Sequence, residues 1–300
     1  MAPATTERSR SHWDDMYTAP KAGTWHTNPL VFSYICRRSL GVQKHWLYWM
    51  FENFLTSRPR RLLSIGCGDG AHELIIARKG FAGHVDAFDA SEVGIVKARE
   101  IAQVEGLSAN FYVDTFEGFI AKPVTEKYDA VLFVGSLHHV VDLDGVLTKV
   151  REILTDDGCV IYNEYVGPCY IVLPDHQVKL VNRLLAAISP EYKIAPDCQW
   201  TNPGIETVMA TDPSEAVRSA LIPHFLRLYF DIRWEAGFGG TILHPIFQFL
   251  NSDRLTDGSP GSNSVVELLI AAEEILMDTG VVSSDFSIGV CDRKKSVTPQ

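Results

Sequence analysis

Several features that mark special classes of protein are missing from this sequence. Its six cysteines are scattered, with no C-x-x-C pair, which indicates neither a disulfide framework nor a zinc site. No apolar run approaches the roughly 20 residues that span a bilayer, and the stretch from Met1 to Asp15 is too polar for a secretion signal. The net charge of -10 argues against affinity built on nucleic-acid phosphates. We therefore expect a soluble, cytoplasmic protein with free thiols, no metal, no membrane partner and no nucleic-acid partner.

The composition that remains is that of a folded α/β protein. Of the 300 residues, 46% are hydrophobic and 21% are charged, enough for a sizeable core in one large domain or a core with an insertion. From Arg61 to Glu164 apolar strands alternate with helical segments, which predicts a doubly wound parallel sheet. The predicted strands are Arg61–Ile65, His84–Asp89, Asn110–Val113, Tyr128–Val134 and Cys159–Glu164. The predicted helices are Ala71–Lys79, Glu92–Glu105 (begun by Ser91 and ended by Gly106) and Asp144–Leu154, the last followed by a turn at Thr155–Gly158.

Four regions are predicted along the chain. Residues 1–58 form an N-terminal cap, loose over the first twenty residues and then helical and rich in aromatic residues from Gln43 to Leu55. Residues 59–165 form the core, and residues 166–225, punctuated by prolines, form a helical lid. The predicted lid helices are Asp175–Ile188 and one beginning at Asp212-Pro213. Residues 226–300 complete the sheet with strands Arg227–Glu235 and Phe286–Cys291, helices Ile246–Leu250 and Val265–Met277, a polar loop Asn251–Asn263 and a frayed tail from Lys294.

The sharpest local signal is a glycine-rich loop, Gly66 to Gly70, that joins the first strand to the first helix of this alternation. Glycines let the backbone turn sharply and lie close to a ligand, and the amides at the helix start face that ligand. Asp89 ends the next strand, where it suits the two hydroxyls of a ribose. The loop fits both a dinucleotide and S-adenosylmethionine (SAM), so it does not decide between them.

Three further features favour SAM over NAD. Asp69 lies inside the loop, where a carboxylate repels a pyrophosphate but suits the ammonium of methionine. Asp114, followed by Thr115 and Phe116, closes the third strand, where a carboxylate can accept the exocyclic amine of adenine. The chain ends in two strands joined by a helical connection rather than in a second mononucleotide-binding half.

Five segments, in this order and spacing, resemble the motifs of class I SAM-dependent methyltransferases. They are LLSIGCGDG (62–70), VDAFDAS (85–91), YVD (112–114), YDAVLFVGSLHHV (128–140) and LTDDGCVIYNEY (154–165). The resemblance implies a seven-stranded sheet with an antiparallel last strand, SAM as cofactor and S-adenosylhomocysteine as product. The cofactor-binding residues it implies are Gly66, Cys67, Gly68, Asp69, Gly70, Asp89, Ala90, Asp114, Thr115 and Gly135. The segments EYVGP (164–168), DPSEAVRS and GGTILHP resemble a bacterial subgroup that modifies small molecules or glycans.

Candidates for the transfer step follow the fourth and fifth strands, where this family places the acceptor. A hydroxyl acceptor benefits from a general base, and histidine has a suitable ordinary pKa. The catalytic candidates are His138, His139 and Glu164, and the candidate substrate-binding residues are Tyr17, Trp25, Tyr165 and His244. The aromatic residues among them either pack in the core or roof the site.

These features predict methylation of an oxygen or nitrogen atom of a small molecule, such as a metabolite, natural product or sugar, by a monomer or homodimer. Two alternatives stay open. One is an RNA or protein methyltransferase, for which Cys169 after the fifth strand supplies a nucleophile for cytosine chemistry. The other is a non-catalytic or NAD-binding protein.

Overall fold

The computed structural model describes residues 3–18, 24–55 and 57–294. Of the tail expected from Lys294 onward, only Lys294 lies within the described residues. Its strands are β1 (Arg61–Ile65), β2 (His84–Asp89), β3 (Ala109–Val113), β4 (Tyr128–Val134), β5 (Leu154–Tyr165), β6 (Phe230–Gly239) and β7 (Phe286–Arg293). Its helices are α1 (Pro3–Thr18), α2 (Pro29–Leu40), α3 (Trp46–Phe54), α4 (Ala71–Lys79), α5 (Glu92–Val104), α6 (Phe116–Ala121), α7 (Leu143–Ile153), α8 (Asp175–Ala187), α9 (Ile205–Thr211), α10 (Ile222–Tyr229), α11 (Leu243–Phe247), α12 (Ser252–Leu255) and α13 (Pro260–Asp278).

All the strands belong to one seven-stranded sheet in the order β3-β2-β1-β4-β5-β7-β6. Strands β1 to β5 are parallel, and β7 lies antiparallel between β5 and β6. The predicted doubly wound sheet with an antiparallel last strand is therefore confirmed. The strand order reverses between β1 and β4, and the carboxyl ends of parallel strands leave a crevice at such a point. Gly66 follows β1 and Gly135 follows β4, so both lie at this crevice.

The sheet is buried on both faces, as the apolar run of β4 requires. Ala130, Val131, Leu132 and Phe133 of β4 have no exposed surface. One face packs against apolar side chains of α2, α3, α8, α11 and α13, and the other packs against α7 and α10. The edge that carries the glycine loop is thus held between two continuous cores.

Neither a membrane span nor a disulfide is found in the described part of the chain. No described helix combines the length and the apolar character that crossing a bilayer requires. All six cysteines are free thiols, and Cys36, Cys159 and Cys291 are buried.

Helix α1 replaces the loose segment that we expected over the first twenty residues. The helix is largely polar, so its sequence carries little apolar periodicity. Side-chain contacts hold it instead. Asp14 Oδ1 accepts hydrogen bonds from Ser91 Oγ (2.5 Å) and from the Val93 amide (3.3 Å), and Arg10 pairs with Glu92 at 2.9 Å. Because these partners lie about 80 residues away in the sequence, local patterns do not predict the helix.

The prediction of a helix starting at Asp212-Pro213 is wrong. Asp212 follows the end of α9, and its Oδ1 accepts a hydrogen bond from the Ser214 amide at 2.9 Å. An aspartate that bonds the amide two residues on forms an Asx-turn rather than a helix start. The residues after Asp212 therefore form a turn, which we call the 212–216 turn.

Other element boundaries also differ from the predictions. The expected turn at Thr155–Gly158 lies inside β5, because Leu154 already pairs with Tyr128 ahead of a bulge. The strand expected from Arg227 begins at Phe230, because the buried Ile222 and Leu226 belong to the amphipathic helix α10. Helices α2, α6, α9 and α12 were not predicted; α9 lies in the expected lid, and α12 lies in the expected polar loop.

The glycine at the start of α4 gives a test of the core behind the loop. Gly70 has a φ of 72°, and a Cβ added there would lie 2.7 Å from Phe111 Cε1 and 2.8 Å from Ala98 Cβ. Gly106 also has a positive φ, of 63°, but a Cβ there meets nothing within 4 Å in the described structure. We expect Gly106→Ala to cost about 1 kcal/mol of unfolding free energy, and Gly70→Ala to cost about 1–3 kcal/mol more. Urea unfolding measures both, and equal losses would contradict the packing behind the loop.

The docking of α1 gives a second test. Asp14→Ala removes the acceptor for Ser91 and Val93, and hydrogen bonds to a charged group contribute about 1.5–3 kcal/mol. We therefore expect trypsin to cleave after Arg8 and Arg10 at least about tenfold faster, since cleavage tracks the population of the opened state. Asp15→Ala, at an exposed neighbouring position, is the matched control and should cleave at the wild-type rate. Equal rates for the two variants would show that Asp14 does not hold the helix.

Candidate cofactor and acceptor site

A cavity of about 350 Å³ lies at the carboxyl edge of the sheet, within the size range of small-molecule sites. Its wall includes nine of the ten residues predicted to bind the cofactor: Gly66, Cys67, Gly68, Asp69, Asp89, Ala90, Asp114, Thr115 and Gly135. The tenth, Gly70, packs against Phe111 and Ala98 behind the loop. The structure therefore brings the end of β1, β2, β3 and β4 to one space.

The glycine loop runs so close to its neighbours that side chains would not fit. Gly66 has a φ of 72°, and a Cβ there would lie 2.6 Å from Ser136 Cβ. The Gly66 and Cys67 amides donate to the Phe88 carbonyl at 2.9 and 3.0 Å. These bonds tie the loop to the end of β2, where the next predicted residue lies.

Asp89 joins the loop to the start of α5. Its Oδ2 accepts a hydrogen bond from the Gly68 amide at 2.8 Å, and its Oδ1 accepts one from the Ser91 amide at 2.8 Å. Burial raises the pKa of Asp89 above its ordinary value, against the lowering effect of these two bonds. The carboxylate thus fixes the loop and stands at the cavity wall beside Ala90.

The far end of the cavity is formed after β3. Asp114 Oδ1 accepts a hydrogen bond from the Thr115 amide at 3.0 Å, and its Oδ2 pairs with Lys122 at 2.5 Å. Phe116 lines the cavity beside it. A carboxylate and an aromatic ring together suit a flat heterocycle that carries an amine.

The donor set fits SAM better than it fits a dinucleotide. Asp69 and Asp89 both lie at the glycine loop. After burial, the charges of both carboxylates raise the pKa values of Tyr17 and Glu73. Two carboxylates favour a cation there and oppose a pyrophosphate. The glycine cradle could hold the methionine part of SAM, the two acids its ribose, and the Asp114 end its adenine.

Helix α1 covers the loop. A Cβ on Gly68 would lie 2.0 Å from the Tyr17 hydroxyl oxygen, so the phenol stands directly against the loop. Burial and the charge of Asp89 raise the pKa of Tyr17, which keeps the phenol neutral. Trp13, one helical turn earlier, meets the His139 ring edge-on with centroids 5.1 Å apart.

Sequence analysis missed three residues that α1 contributes to this wall: Ser9, Arg10 and Trp13. One signal was available, because Trp13 and Tyr17 are four residues apart and share a helix face. His72, Glu117 and Ser214 also line the cavity without having been predicted.

Glu164 organises the wall on the other side. Its Oε1 accepts hydrogen bonds from the Ser136 and Leu137 amides, both at 2.8 Å, and its Oε2 bonds His138 Nδ1 at 2.8 Å. The carboxylate is 1% exposed. It therefore fixes the turn after β4 and orients the imidazole of His138.

The two adjacent histidines have opposite pKa shifts. Burial lowers the pKa of His138, but the hydrogen bond and charge of Glu164 outweigh burial, and the net pKa lies above the ordinary value. Burial and the charge of His138 lower the pKa of His139 to about 3. Of the two imidazoles, His138 is therefore the stronger base.

His139 and the 212–216 turn together close one end of the cavity. His139 Nδ1 lies 3.1 Å from Ser214 Oγ, and Ser9 of α1 donates to Asp212 at 2.7 Å. His139 lines the cavity, whereas His138 Nε2 lies 3.9 Å from Glu215 Oε1. One ring nitrogen of His138, one of His139 and a carboxylate oxygen of Glu215 lie within 4.8 Å of one another. Such a set of donor atoms can hold a metal ion, although the sequence predicts no metal site.

The backbone around this turn is strained. Ala216 has a φ of 47°, and Tyr170 and Ile171 have φ values of 56° and 55°. The Tyr170 amide donates to the Ala216 carbonyl at 2.9 Å, so the strained residues meet. Strain of this kind concentrates at binding and switching segments.

The remaining predicted substrate-binding residues form a separate aromatic cluster. Trp25 and Tyr165 each lie 5.2 Å from the Phe286 ring, and His244 lies 5.4 Å from it. None of the three is part of the cavity wall that the described residues form, whereas Tyr17 is. Burial lowers the pKa of His244 to about 4, which keeps that imidazole neutral.

Solved structures with this fold differ in activity. The structure of the cyclase SpnF matches with a TM-score of 0.51 and 14% identity, covering 98% of this chain and 97% of that one. A structure of the StiE O-MT matches with a TM-score of 0.51 and 12% identity, covering 96% and 90%. At these identities the likeness shows the fold alone.

Curated relatives match over half of the chain or less. The ubiquinone biosynthesis O-methyltransferase of Caulobacter sp. (strain K31) is 31% identical over 144 residues, which cover 48% of this chain and 50% of the relative. The enzyme of the same name from Cereibacter sphaeroides (strain ATCC 17029 / ATH 2.4.9) is 36% identical over 101 residues, covering 34% and 39%. The chain thus spans about half the length of the first of these relatives and less of the second. The Methyltransferase domain family matches residues 58–217, just over half of the chain, and the chain belongs to that family.

Proposed function

We propose that this protein transfers a methyl group from SAM to a hydroxyl oxygen of a small molecule. One observation carries the proposal. A single cavity has the glycine loop, Asp89 and Asp114 on one side and His139, next to the His138–Glu164 pair, on the other. The first side suits the cofactor, and the second suits an acceptor that must lose a proton. The Caulobacter relative's name supports an oxygen acceptor over nitrogen.

When bound, SAM supplies a methyl group on a cationic sulfur, which takes the electron pair of the breaking bond as the acceptor oxygen attacks. The protein holds the reactants in line and keeps water out. Tyr17 and Trp13 of α1 cover the cavity, and Ser214 closes its end. His138, oriented by Glu164, accepts the proton of the hydroxyl at Nε2.

The acceptor enters past the 212–216 turn in this proposal. Glu215 now faces His138 Nε2, so the turn has to move for a hydroxyl to reach that nitrogen. The positive φ of Ala216 supports such movement, because a strained residue is released when the turn opens. The enclosing α1 and this turn favour a small acceptor over a protein chain or RNA.

The other functions have less support. A pyrophosphate of NAD would meet the carboxylates of Asp69 and Asp89. Cys169, the nucleophile required for cytosine chemistry, is not part of the cavity wall formed by the described residues. The existence of a cyclase with this fold shows that activity depends on the site rather than the fold. The cytoplasmic location of this protein and its state as a monomer or homodimer stay predictions.

The cofactor assignment predicts tight dependence on Asp89. Asp89→Ala removes the carboxylate that fixes Gly68 and that we expect to accept hydrogen bonds from the two ribose hydroxyls. Each of those two charge-assisted bonds contributes about 1.5–3 kcal/mol. We therefore expect S-adenosylhomocysteine to bind at least about 100-fold more weakly. Isothermal titration calorimetry measures the change. Asp231→Ala, on the exposed side of the edge strand β6, is the control and should bind as wild type. Equal affinities in the two variants would contradict the assignment.

The base assignment predicts different effects for the neighbouring histidines. We expect His138→Gln to slow methyl transfer about 100-fold or more, the range for a lost general base, and His139→Gln to slow it about tenfold or less. Because His138 must be neutral to accept a proton, the wild-type rate should rise with pH through a midpoint above the ordinary histidine value. Glu164→Gln removes the hydrogen bond and charge that raise the pKa of His138, so the midpoint should move to lower pH.

Tritiated SAM and a panel of hydroxylated acceptors measure these rates. S-adenosylhomocysteine affinity, measured in parallel, separates a catalytic loss from a binding loss. A larger loss in His139→Gln than in His138→Gln, or a midpoint unmoved in Glu164→Gln, would show that another group accepts the proton.

A further inference from the structure

A buried carboxylate beneath the glycine loop has no role in the mechanism above. Glu73 is the third residue of α4 and is 1% exposed. Its Oε1 accepts a hydrogen bond from Ser64 Oγ at 2.6 Å. Its Oε2 is shielded from solvent and has no hydrogen-bond partner in the described structure. A buried carboxyl oxygen without a partner is costly while it is charged, so the group either holds a proton or requires a cation nearby.

The groups around Glu73 connect it to the cavity. Burial comes first among the causes that raise the pKa of Glu73 to about 7, and the charges of Asp69 and Asp89 raise it further against the hydrogen bond from Ser64. Burial is the largest cause that raises the pKa of Tyr17, and the charge of Glu73 adds a smaller contribution. Asp69, Asp89 and Tyr17 all line the cavity, and the pKa of the Cys67 thiol there is also raised by Glu73. The field of Glu73 therefore reaches the space beside the glycine loop.

We propose that Glu73 is a second, buried counter-charge for the methionine ammonium of SAM, behind Asp69, and that binding of the cofactor drives a proton off Glu73. The inference rests on the proposed function, since it takes SAM as the ligand. It does not require direct contact between the carboxylate and the ammonium, because a charge a few ångströms away acts through space in a water-poor site.

The sign of the effect follows from the charges. A cation beside a carboxyl favours the ionised form, so Glu73 has a lower pKa in the complex than in the free protein. Near and below neutrality the free protein holds the proton, and the complex releases it to solvent. Affinity for the ligand therefore rises with pH, by up to about tenfold per pH unit below the free-protein pKa, and levels off above that value.

Three related ligands separate this effect from general binding. SAM and S-adenosylhomocysteine both carry the ammonium, whereas 5′-methylthioadenosine has the nucleoside without ammonium or sulfonium. Calorimetry in pairs of buffers with different ionisation heats counts the protons released, between about pH 5.5 and 7.5, below the range where an α-amino group titrates. We expect release, and affinity that rises with pH, for SAM and S-adenosylhomocysteine, and neither effect for 5′-methylthioadenosine.

Two variants assign the proton to Glu73. Glu73→Gln keeps the volume of the side chain and an acceptor for Ser64, and we expect its S-adenosylhomocysteine affinity to be independent of pH and about tenfold weaker than wild type at the upper end of the range. Ser64→Ala removes a bond that lowers the pKa of Glu73, so its transition should move to higher pH. Glu100→Gln, at an exposed position on α5, is the control and should keep the wild-type pH dependence.

The outcomes distinguish this inference from the proposed function. Binding of S-adenosylhomocysteine that does not change with pH, or a pH dependence that persists in Glu73→Gln, overturns the role of Glu73 and leaves the cofactor assignment intact. Proton release with SAM but not with S-adenosylhomocysteine also overturns it, because the sulfonium would then be the charge that matters. Absence of binding by all three ligands overturns the proposed function and the inference together.

Discussion

The buried carboxylate of Glu164 is the constraint on which the two halves of the site depend. At the end of β5 it accepts hydrogen bonds from the Ser136 and Leu137 amides and bonds His138 Nδ1. Ser136 in turn donates to the Ile65 carbonyl at 2.6 Å, immediately before the glycine loop. One carboxylate thus sets the turn after β4, the position of the imidazole and, through Ser136, the close approach of the glycine loop.

The same interaction explains why Gly66 has to be a glycine. Its φ is positive, and Ser136 stands where a side chain would otherwise extend. The proposed cofactor side and the proposed acceptor side are therefore parts of one arrangement, built where the strand order reverses between β1 and β4. A fold found in a cyclase as well as in an O-MT leaves the choice of chemistry to such side chains.

The core of the fold could be predicted from the sequence because its signals are local. Apolar strands, glycine stops and the Ser91 cap predicted β1, β2 and β4 with their exact bounds. The same signals predicted the glycine loop and the strand-end aspartates that line the cavity, since these follow directly from the strands.

What was missed depends on contacts distant in sequence. Helix α1 is held by Asp14 at the start of α5 and by Ser9 at Asp212, and no local pattern contains those pairs. The sequence Asp212-Pro213 predicts a helix start, but in the structure the Asp212 carboxylate accepts a hydrogen bond from the Ser214 amide and forms a turn. For the same reason the sequence placed Trp25 and His244 around the acceptor, whereas packing against Phe286 puts them in another cluster.

A crystal structure of the protein with bound S-adenosylhomocysteine is the decisive test of the cofactor site. We expect the adenine beside Phe116 with its amine toward Asp114, the ribose hydroxyls on Asp89, and the methionine part along Gly66 and Gly68 under Tyr17. Density for the ligand elsewhere, or a ribose without contact to Asp89, would contradict it.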